Sequence, residues 1–394
     1  ELPRGLSKLQ NLLQLNLSGC SKLQKLPTGI SKLTNLLSLH LDICENLQEL
    51  PRDMSKLVKL RELRLDGCFQ LRHMPVGLGN CTGLQKLDVF AAKGRSFSGT
   101  NPNHPGDSDD YEVGGLAELN RLNNLEGKLL IKVDGTWSSE SEARAANLRG
   151  KEKLTELKIN FIGGSSRDNE MLLEGFQPNA NLRELWIYGY RGERIPSWID
   201  DNDYLSNLKK IRLCNWGTCV CLGSFGRLPR LELLEIADLP NLEYIESSTT
   251  DPNALSAAPL FPSLDVLILE SLPKWKGWRT TCASSSSGAG AIIFPRLRYL
   301  ELGRVGLEIV PEEFQGLSSL RHLEIIDCNL LKGIPEWIET LVSLEHITIY
   351  KCPQVTSSPE QMVKLSNFHF RTSLDSDGNE RFYGERRGTG STSS

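Results

Sequence analysis

The sequence lacks the features that point to several common classes of partner. Its 45 Lys and Arg residues against 49 Asp and Glu residues give a formal net charge of −4, so the basic excess typical of nucleic-acid-binding proteins is missing. No uninterrupted apolar run approaches the ~20 residues that a membrane-spanning helix needs. No G-x-x-x-x-G-K-[ST] phosphate loop occurs, and no catalytic constellation stands out among the six histidines and ten cysteines. We therefore expect no nucleic-acid partner, no membrane span, no enzymatic activity, no metal site and no cofactor in this chain.

Leucine, by contrast, is abundant, at 66 of 394 residues. When the first ninety residues are set in rows of 24, the leucines fall into columns, one of which holds Leu15, Leu39, Leu63 and Leu87. The repeated pattern is L-x-x-L-x-L-x-x-C-x-x-L-x-x-L-P-x-x-I-x-x-L-x-x, a leucine-rich repeat within the known period of about 20–29 residues. The chain begins at Glu1 and not at Met, in what looks like the middle of a repeat, so we expect it to be a piece of a longer protein.

The repeat pattern predicts the fold class. The L-x-L segment alternates with period two, which is typical of a short strand with its leucines on one face. A single repeat cannot bury these leucines, so neighbouring repeats must stack on one another. The sequence therefore predicts an α/β repeat solenoid, a leucine-rich-repeat horseshoe with a parallel concave β-sheet of about 14 strands and an irregular or short-helical convex side.

The regularity of the repeat changes along the chain and predicts four segments. Residues 1–90 hold regular 24-residue repeats, and residues 91–153 hold a loop insertion, helical segments and one weak repeat. Residues 154–371 hold irregular repeats. Residues 372–394 lack aliphatic periodicity, which predicts a disordered tail.

Five cysteines recur at the ends of the predicted strands. We interpret them as inward-facing residues whose small side chains and weak S–H donors suit the backbone of the turn. A disulfide ladder is the alternative, because adjacent repeats bring such positions close together. The cluster Cys214–Cys221 offers three thiols, but zinc usually takes four ligands and no fourth lies nearby in sequence. The recurring cysteines are Cys20, Cys44, Cys68, Cys328 and Cys352.

Residues that flank the inner leucines of each strand point to the opposite face of the sheet and form a platform for a protein partner. Aromatic and arginine side chains are the usual hot spots of protein interfaces, whereas the alternative is an ordinary solvated surface. The candidate partner contacts are Phe90, Glu184, Trp186, Tyr188, Arg212, Tyr299, His322 and Tyr350.

Several motifs are similar to one protein family. The Leu-Pro repeats with strand-end cysteines resemble the leucine-rich-repeat region of plant intracellular nucleotide-binding disease resistance proteins of the coiled-coil subclass. Further similar segments are G-G-L-A-E-L-N-R-L-N-N-L at 114–125, E-A-R-A-A-N-L at 142–148, Q-P-N-A-N-L at 177–182 with I-P-S-W at 195–198, and F-P-S-L at 261–264. The resemblance extends from residue 1 to about residue 370.

The resemblance implies a role in plant defence. In that family the repeats sense a pathogen effector or a guarded host protein, and they hold a nucleotide-binding switch inactive, in the cytoplasm and also in the nucleus. Nucleotide is then expected only in an upstream domain that this chain does not contain. The first repeats would lie nearest to that domain, and their alternating charges are candidates for intramolecular contacts. These candidates are His40, Glu62, Arg64, Asp66, Lys86 and Asp88.

Two alternative functions remain open at this point. The chain could be the ectodomain of an extracellular leucine-rich-repeat receptor, or the substrate-binding arm of a ubiquitin-ligase adaptor. The sequence upstream of Glu1 distinguishes the three functions. It would carry a phosphate loop in a disease resistance protein, a signal peptide in a receptor ectodomain and an F-box-like segment in a ubiquitin-ligase adaptor.

Overall fold

The computed structural model describes most of the chain. The described residues are 4–93, 113–134, 139–201, 203–223, 225–246, 260–279, 293–356, 358, 365, 367–374 and 380–386. The chain divides into an N-terminal unit, Glu1–Gly192, and a C-terminal unit, Glu193–Ser394. This division falls within the segment that the sequence predicts as irregular repeats, residues 154–371.

The N-terminal unit consists of stacked short strands. Strands β1, β2, β3 and β5 are parallel neighbours in that order, and so are β6, β8, β9 and β10, with one register shift in the β8–β9 pairing between Gly127 and Lys128. Strands β4 and β7 pair antiparallel. The strands are β1 (Gln14–Asn16), β2 (Ser38–His40), β3 (Glu62–Arg64), β4 (Met74–Pro75), β5 (Lys86–Leu87), β6 (Val89–Ala92), β7 (Val113–Gly114), β8 (Gly127–Asp134), β9 (Leu154–Ile162) and β10 (Glu184–Tyr188).

The C-terminal unit repeats this arrangement and ends in a hairpin. Strands β11, β13, β15, β17, β18 and β19 are parallel neighbours in that order, and β12, β14 and β16 form a small parallel sheet. The strands are β11 (Lys210–Cys214), β12 (Cys221–Leu222), β13 (Leu233–Ala237), β14 (Tyr244–Glu246), β15 (Val266–Leu272), β16 (Gly277–Arg279), β17 (Tyr299–Val305), β18 (His322–Ile326), β19 (His346–Tyr350), β20 (Phe368–Leu374) and β21 (Glu380–Arg386).

Short helices connect the strands on the other side of the repeats, as predicted. Several begin directly after the proline of the repeat, because proline fixes φ near the helical value but donates no hydrogen bond. The α-helices are α1 (Glu140–Arg144), α2 (Ser166–Gly175), α3 (Ser197–Asp200) and α4 (Pro353–Thr356), and the 3₁₀ helices are Arg4–Lys8, Thr28–Lys32, Arg52–Lys56, Leu78–Asn80, Leu116–Leu119, Leu148–Gly150, Glu312–Phe314 and Glu336–Thr340.

The leucine columns form the core, and the cysteines have the predicted role. Leu39 and Leu63 pair in register across β2 and β3 and are fully buried. The thiol of Cys44 donates to the Leu17 carbonyl at 3.2 Å, and that of Cys68 donates to the Leu41 carbonyl at 3.1 Å. The interpretation of the strand-end cysteines as inward-facing donors to the backbone is confirmed at these positions. It is wrong for Cys20, which is exposed.

A break in the strand of the fourth repeat moves one predicted contact residue from the surface into the core. Asp88 interrupts the strand between β5 and β6, and Phe90 then pairs with the buried Ile131 of β8. Because a shift of one residue moves a side chain to the opposite face of a sheet, Phe90 becomes fully buried. The prediction of Phe90 as an exposed partner contact is therefore wrong.

The two segments predicted to be irregular are partly ordered. Ala91 and Ala92, at the start of the predicted loop insertion, belong to β6 and are buried, while residues 94–112 lie outside the described residues. The predicted disordered tail is wrong for residues 372–374 and 380–386. These residues form part of the β20–β21 hairpin, whose second strand pairs antiparallel with β19.

Equivalent leucines in the first two repeats allow a test of stacking. Leu39 is fully buried, whereas Leu15 in the same column is half-buried, and β1 pairs only with β2 among the described strands. We expect Leu39→Ala to lower the free energy of unfolding by about 2–5 kcal/mol and Leu15→Ala by clearly less. Urea denaturation followed by circular dichroism measures both values, and equal losses would contradict the stacking argument.

The buried carboxylate of Asp88, at the interruption between β5 and β6, leads to a pH-dependent prediction. The Asp88 side chain is buried, and its Oδ2 atom has no hydrogen-bond partner among the described residues. Burial raises the pKa of Asp88, so the folded state holds this proton more tightly than the unfolded state and loses stability as pH rises above the ordinary value of about 3.9. We therefore expect Asp88→Asn to raise the urea midpoint at pH 7, with the gain shrinking toward pH 4.

Asp66 provides the matched control for this substitution. A hydrogen bond from Lys128 lowers the pKa of Asp66, so its contribution to stability is present at neutral pH and disappears on acidification. Asp66→Asn should lower the midpoint at pH 7, opposite in sign to Asp88→Asn. A lower midpoint for Asp88→Asn at pH 7 would contradict the effect assigned to burial.

Candidate functional site

The side chains that flank the inward leucines on each strand form what we call the outward face. In the N-terminal unit, β10 brings Glu184, Trp186 and Tyr188 onto this face, in register with alternate residues of β9. The Trp186 and Tyr188 ring centroids lie 6.2 Å apart, and the Lys158 ammonium lies 3.6 Å from the Trp186 centroid. The predicted aromatic pair is thus adjacent to a cation, which favours binding of a partner through both apolar and polar contacts.

The predicted charged residues of the first repeats gather around Glu62. Its Oε2 atom lies 3.3 Å from His40 Nε2 and 3.7 Å from Arg64 Nε, and its Oε1 atom lies 3.7 Å from Lys86 Nζ. Burial alone would raise the pKa of Glu62, but the hydrogen bond with His40 and the nearby cations outweigh it and lower the pKa. These half-exposed pairs contribute little to stability, so they are available to exchange partners.

A second charged group centres on Lys128 of β8. Lys128 Nζ lies 2.7 Å from Asp66 Oδ2 and 3.8 Å from Asp88 Oδ1, which raises the pKa of the lysine. Asp66 is exposed as predicted, whereas the prediction of Asp88 as an exposed contact is wrong, since only 8% of it is accessible. The same break after β5 that buries Phe90 also places the Asp88 side chain in the interior.

Three glutamates align on the outward face of the C-terminal unit. Glu235, Glu301 and Glu324 occupy one register row across β13, β17 and β18, with Ile268 of β15 between the first two. Arg212, a predicted contact, lies in the same row and forms an ion pair with Glu235 at 3.0 Å. The arrangement favours a partner that presents positive charge to this unit.

Tyr299, another predicted contact, forms a hydrogen bond with Glu301 of this row. Its hydroxyl donates to Glu301 Oε2 at 2.9 Å. Burial and the neighbouring carboxylates raise the pKa of Tyr299. Burial also raises the pKa of Glu301 and outweighs the hydrogen bond from Tyr299, which lowers it. The pair therefore presents a fixed donor–acceptor arrangement on the outward face.

The last two predicted contacts lie near the terminal hairpin. The His322 and His346 rings stack with centroids 4.8 Å apart at an interplanar angle of 11°. Tyr350 is partly covered, because the Arg381 guanidinium of β21 lies 4.5 Å from its ring centroid. The hairpin, which the sequence did not predict, thus limits the access of a partner to Tyr350.

Sequence reasoning missed several residues of the outward face. Lys128 and Lys132 follow the same alternation as the other strands, between Leu129, Ile131 and Val133, so the period-two pattern of the weak repeat could have identified them. Arg381 had no such signal, because its position depends on the antiparallel pairing of the hairpin.

Comparison with known proteins gives a consistent match. A family model of R13L1/DRL21 leucine-rich repeats matches residues 116–239. Disease resistance protein RGA2 of Solanum bulbocastanum is 31% identical over 246 residues, which cover 56% of this chain and 24% of RGA2. The disease resistance RPP13-like protein 1 of Arabidopsis thaliana is 30% identical over 233 residues, which cover 55% of this chain and 21% of that protein. The chain thus spans less than a quarter of the length of these curated relatives.

A solved structure agrees on the fold. A leucine-rich-repeat protein of Leptospira interrogans matches 92% of this chain and 78% of its own length, with a TM-score of 0.52 and 21% identity.

Within the described residues, no helix is both long and apolar enough to cross a membrane. The stacked strands, the buried leucine columns and these matches lead to one assignment: the chain has a leucine-rich-repeat fold, and residues 116–239 match the family model of R13L1/DRL21 leucine-rich repeats.

Proposed function

We propose that this chain is the protein-recognition and autoinhibitory module of an intracellular plant immune receptor. The similarity to disease resistance proteins over more than half of the chain is the observation that carries the proposal. In this role the chain senses a pathogen effector or a guarded host protein in the cytoplasm or nucleus. It needs no catalysis and no cofactor of its own, because nucleotide binds to a separate upstream domain.

Recognition is assigned to the outward face, and most strongly to Trp186 and Tyr188. Aromatic side chains at the centre of an interface contribute much of its binding energy. Trp186 lies under the Lys158 ammonium, which in turn contacts Glu156 at 2.9 Å. A partner that binds here can bury the two rings and pair with the surrounding charges at the same time.

Autoinhibition is assigned to the charged group around Glu62. The group combines one carboxylate with His40, Arg64 and Lys86 on the outward face of the first repeats. Such exposed pairs are weak individually but give specificity and electrostatic steering to a docked domain. In the proposal, the upstream nucleotide-binding domain docks on this group in the inactive receptor.

The recognition surface can be tested by a double substitution. A leaf-expression screen of secreted pathogen proteins first identifies an effector that triggers cell death through the full-length receptor. The double substitution Trp186→Ala with Tyr188→Ala should then abolish that cell death. Loss of one hot-spot side chain typically costs about 2 kcal/mol or more of binding free energy. The double substitution should therefore weaken binding of the effector at least about 30-fold. Phe69→Ala is the matched control, because Phe69 is 71% exposed but lies in a turn after β3. An unchanged response at equal protein abundance would remove the pair from the recognition surface.

The autoinhibitory contact can be tested by charge reversal. Glu62→Lys replaces the carboxylate by a third positive charge beside Arg64 and Lys86 and should cause cell death without any effector. Glu152→Lys is the matched control, because Glu152 is exposed in the same unit but lies before β9 and outside the outward face. If neither variant is active without effector, or if both are, the docking assigned to Glu62 is contradicted.

A further inference from the structure

Four residues that are distant in sequence form a single row on the outward face of the C-terminal unit. His322 of β18 pairs in register with His346 of β19, which pairs with Glu385 of β21, which in turn pairs with His369 of β20. We call these four residues the histidine row. It brings together three of the six histidines of the chain.

The side chains of the row share one face of the sheet. Residues directly opposite one another on paired strands point to the same side. The neighbours on these strands, such as Leu323, Ile347 and Phe368, point to the core and are buried. His346, Glu385 and His369 are exposed, and His322 is half-buried. The row is therefore a set of accessible donors at the spacing of about 4.8 Å that separates neighbouring strands.

The first two histidines and a nearby carboxylate have the geometry of a metal site. Ligand atoms of His322, His346 and Glu345 all lie within 4.8 Å of one another. Two donors on a tetrahedral zinc ion lie about 3.3 Å apart, given bond lengths near 2.0–2.1 Å. Small side-chain rotations at these accessible positions close the difference. The exposed ion pair between Glu345 and Arg321, at 3.4 Å, is weak and can be exchanged for a metal bond.

The donor types select the class of cation. Imidazole nitrogens suit zinc, copper and nickel, whereas magnesium and calcium prefer sites made entirely of oxygen ligands. Glu385 lies opposite His346 in the register of β21 and β19, outside the 4.8 Å cluster, and a change of its side-chain rotamer brings its carboxylate to the ion as a fourth donor in a four-coordinate site. The surrounding carboxylates of Glu301 and Glu324 add negative charge on the same face.

We infer that His322, His346, Glu345 and Glu385 form a binding site for a divalent transition-metal cation, with zinc as the expected occupant. The bound ion links the last two repeat strands to the terminal hairpin. The inference is independent of the proposed function. It departs from the sequence-based expectation of no metal site, because the pairing of the hairpin with β19 is not visible in the repeat pattern.

Isothermal titration of the full chain with zinc chloride tests the inference. His322→Ala and His346→Ala should each weaken zinc binding at least about tenfold, since losing even a residue that only orients a ligand costs about 10–100-fold. Glu385→Gln should also weaken binding. His40→Ala is the matched control, because His40 is a half-buried histidine on the outward face that contacts a single carboxylate. Magnesium chloride should give no saturable binding.

Cobalt absorption separates this site from the free cysteines. Cobalt bound at the site formed by His322, His346, Glu345 and Glu385 should lack the near-ultraviolet thiolate charge-transfer band, and zinc should remove the cobalt signal. Circular dichroism establishes that each variant is folded, and His346→Gln provides a second substitution if His346→Ala is not. Unchanged zinc affinity in the His322 and His346 variants, an equal loss in His40→Ala, or a thiolate band at the first equivalent would overturn the inference. Unchanged affinity in Glu385→Gln would overturn the link to the hairpin.

Discussion

Burial of each leucine by the neighbouring repeat is the interaction on which the rest of this structure depends. A leucine in a three-residue strand cannot be covered by its own repeat, so its burial requires the next repeat in the same register. Leu39 and Leu63, each flanked by repeats on both sides, are fully buried, whereas Leu15 remains half-buried. The stability of any one repeat is therefore tied to its neighbours, and a substitution in one column weakens two interfaces.

Where the leucine pattern becomes irregular, buried polar groups link adjacent repeats. The ammonium of Lys151 is fully buried and donates to the carbonyls of Leu119 and Leu122 at 2.6 and 3.3 Å. Burial lowers the pKa of Lys151 to about 8. Asn179 in turn donates to the carbonyls of Lys151 and Leu154 at 2.9 and 3.1 Å. These bonds connect three successive repeats through the ends of their turns, and they satisfy carbonyls that burial would otherwise leave unpaired.

The sequence predicts the strand positions well and the outward face less well, for one physical reason. Burial acts on columns of leucine, so the position of β2, β3 or β18 follows directly from the pattern. Exposure depends on local register, and one interrupting residue such as Asp88 moves Phe90 from surface to core without changing the leucine count. The β20–β21 hairpin escapes prediction because it covers the edge of β19 by antiparallel pairing, with Gly384 leaving room for Phe370 and Ile347, and not by another leucine repeat.

The same register that buries the leucines also decides which outward residues meet. His322 and His346 stack because they occupy equivalent positions 24 residues apart, and Trp186 meets Lys158 because β10 and β9 pair without a shift. These side chains contribute little to the core, so they can be replaced without unfolding the repeats. In the proposed function, recognition and stability are therefore assigned to opposite faces of the same strands. The leucine columns fix the positions of the strands, so a substitution at an aligned outward position can create or remove a side-chain cluster while the core stays the same.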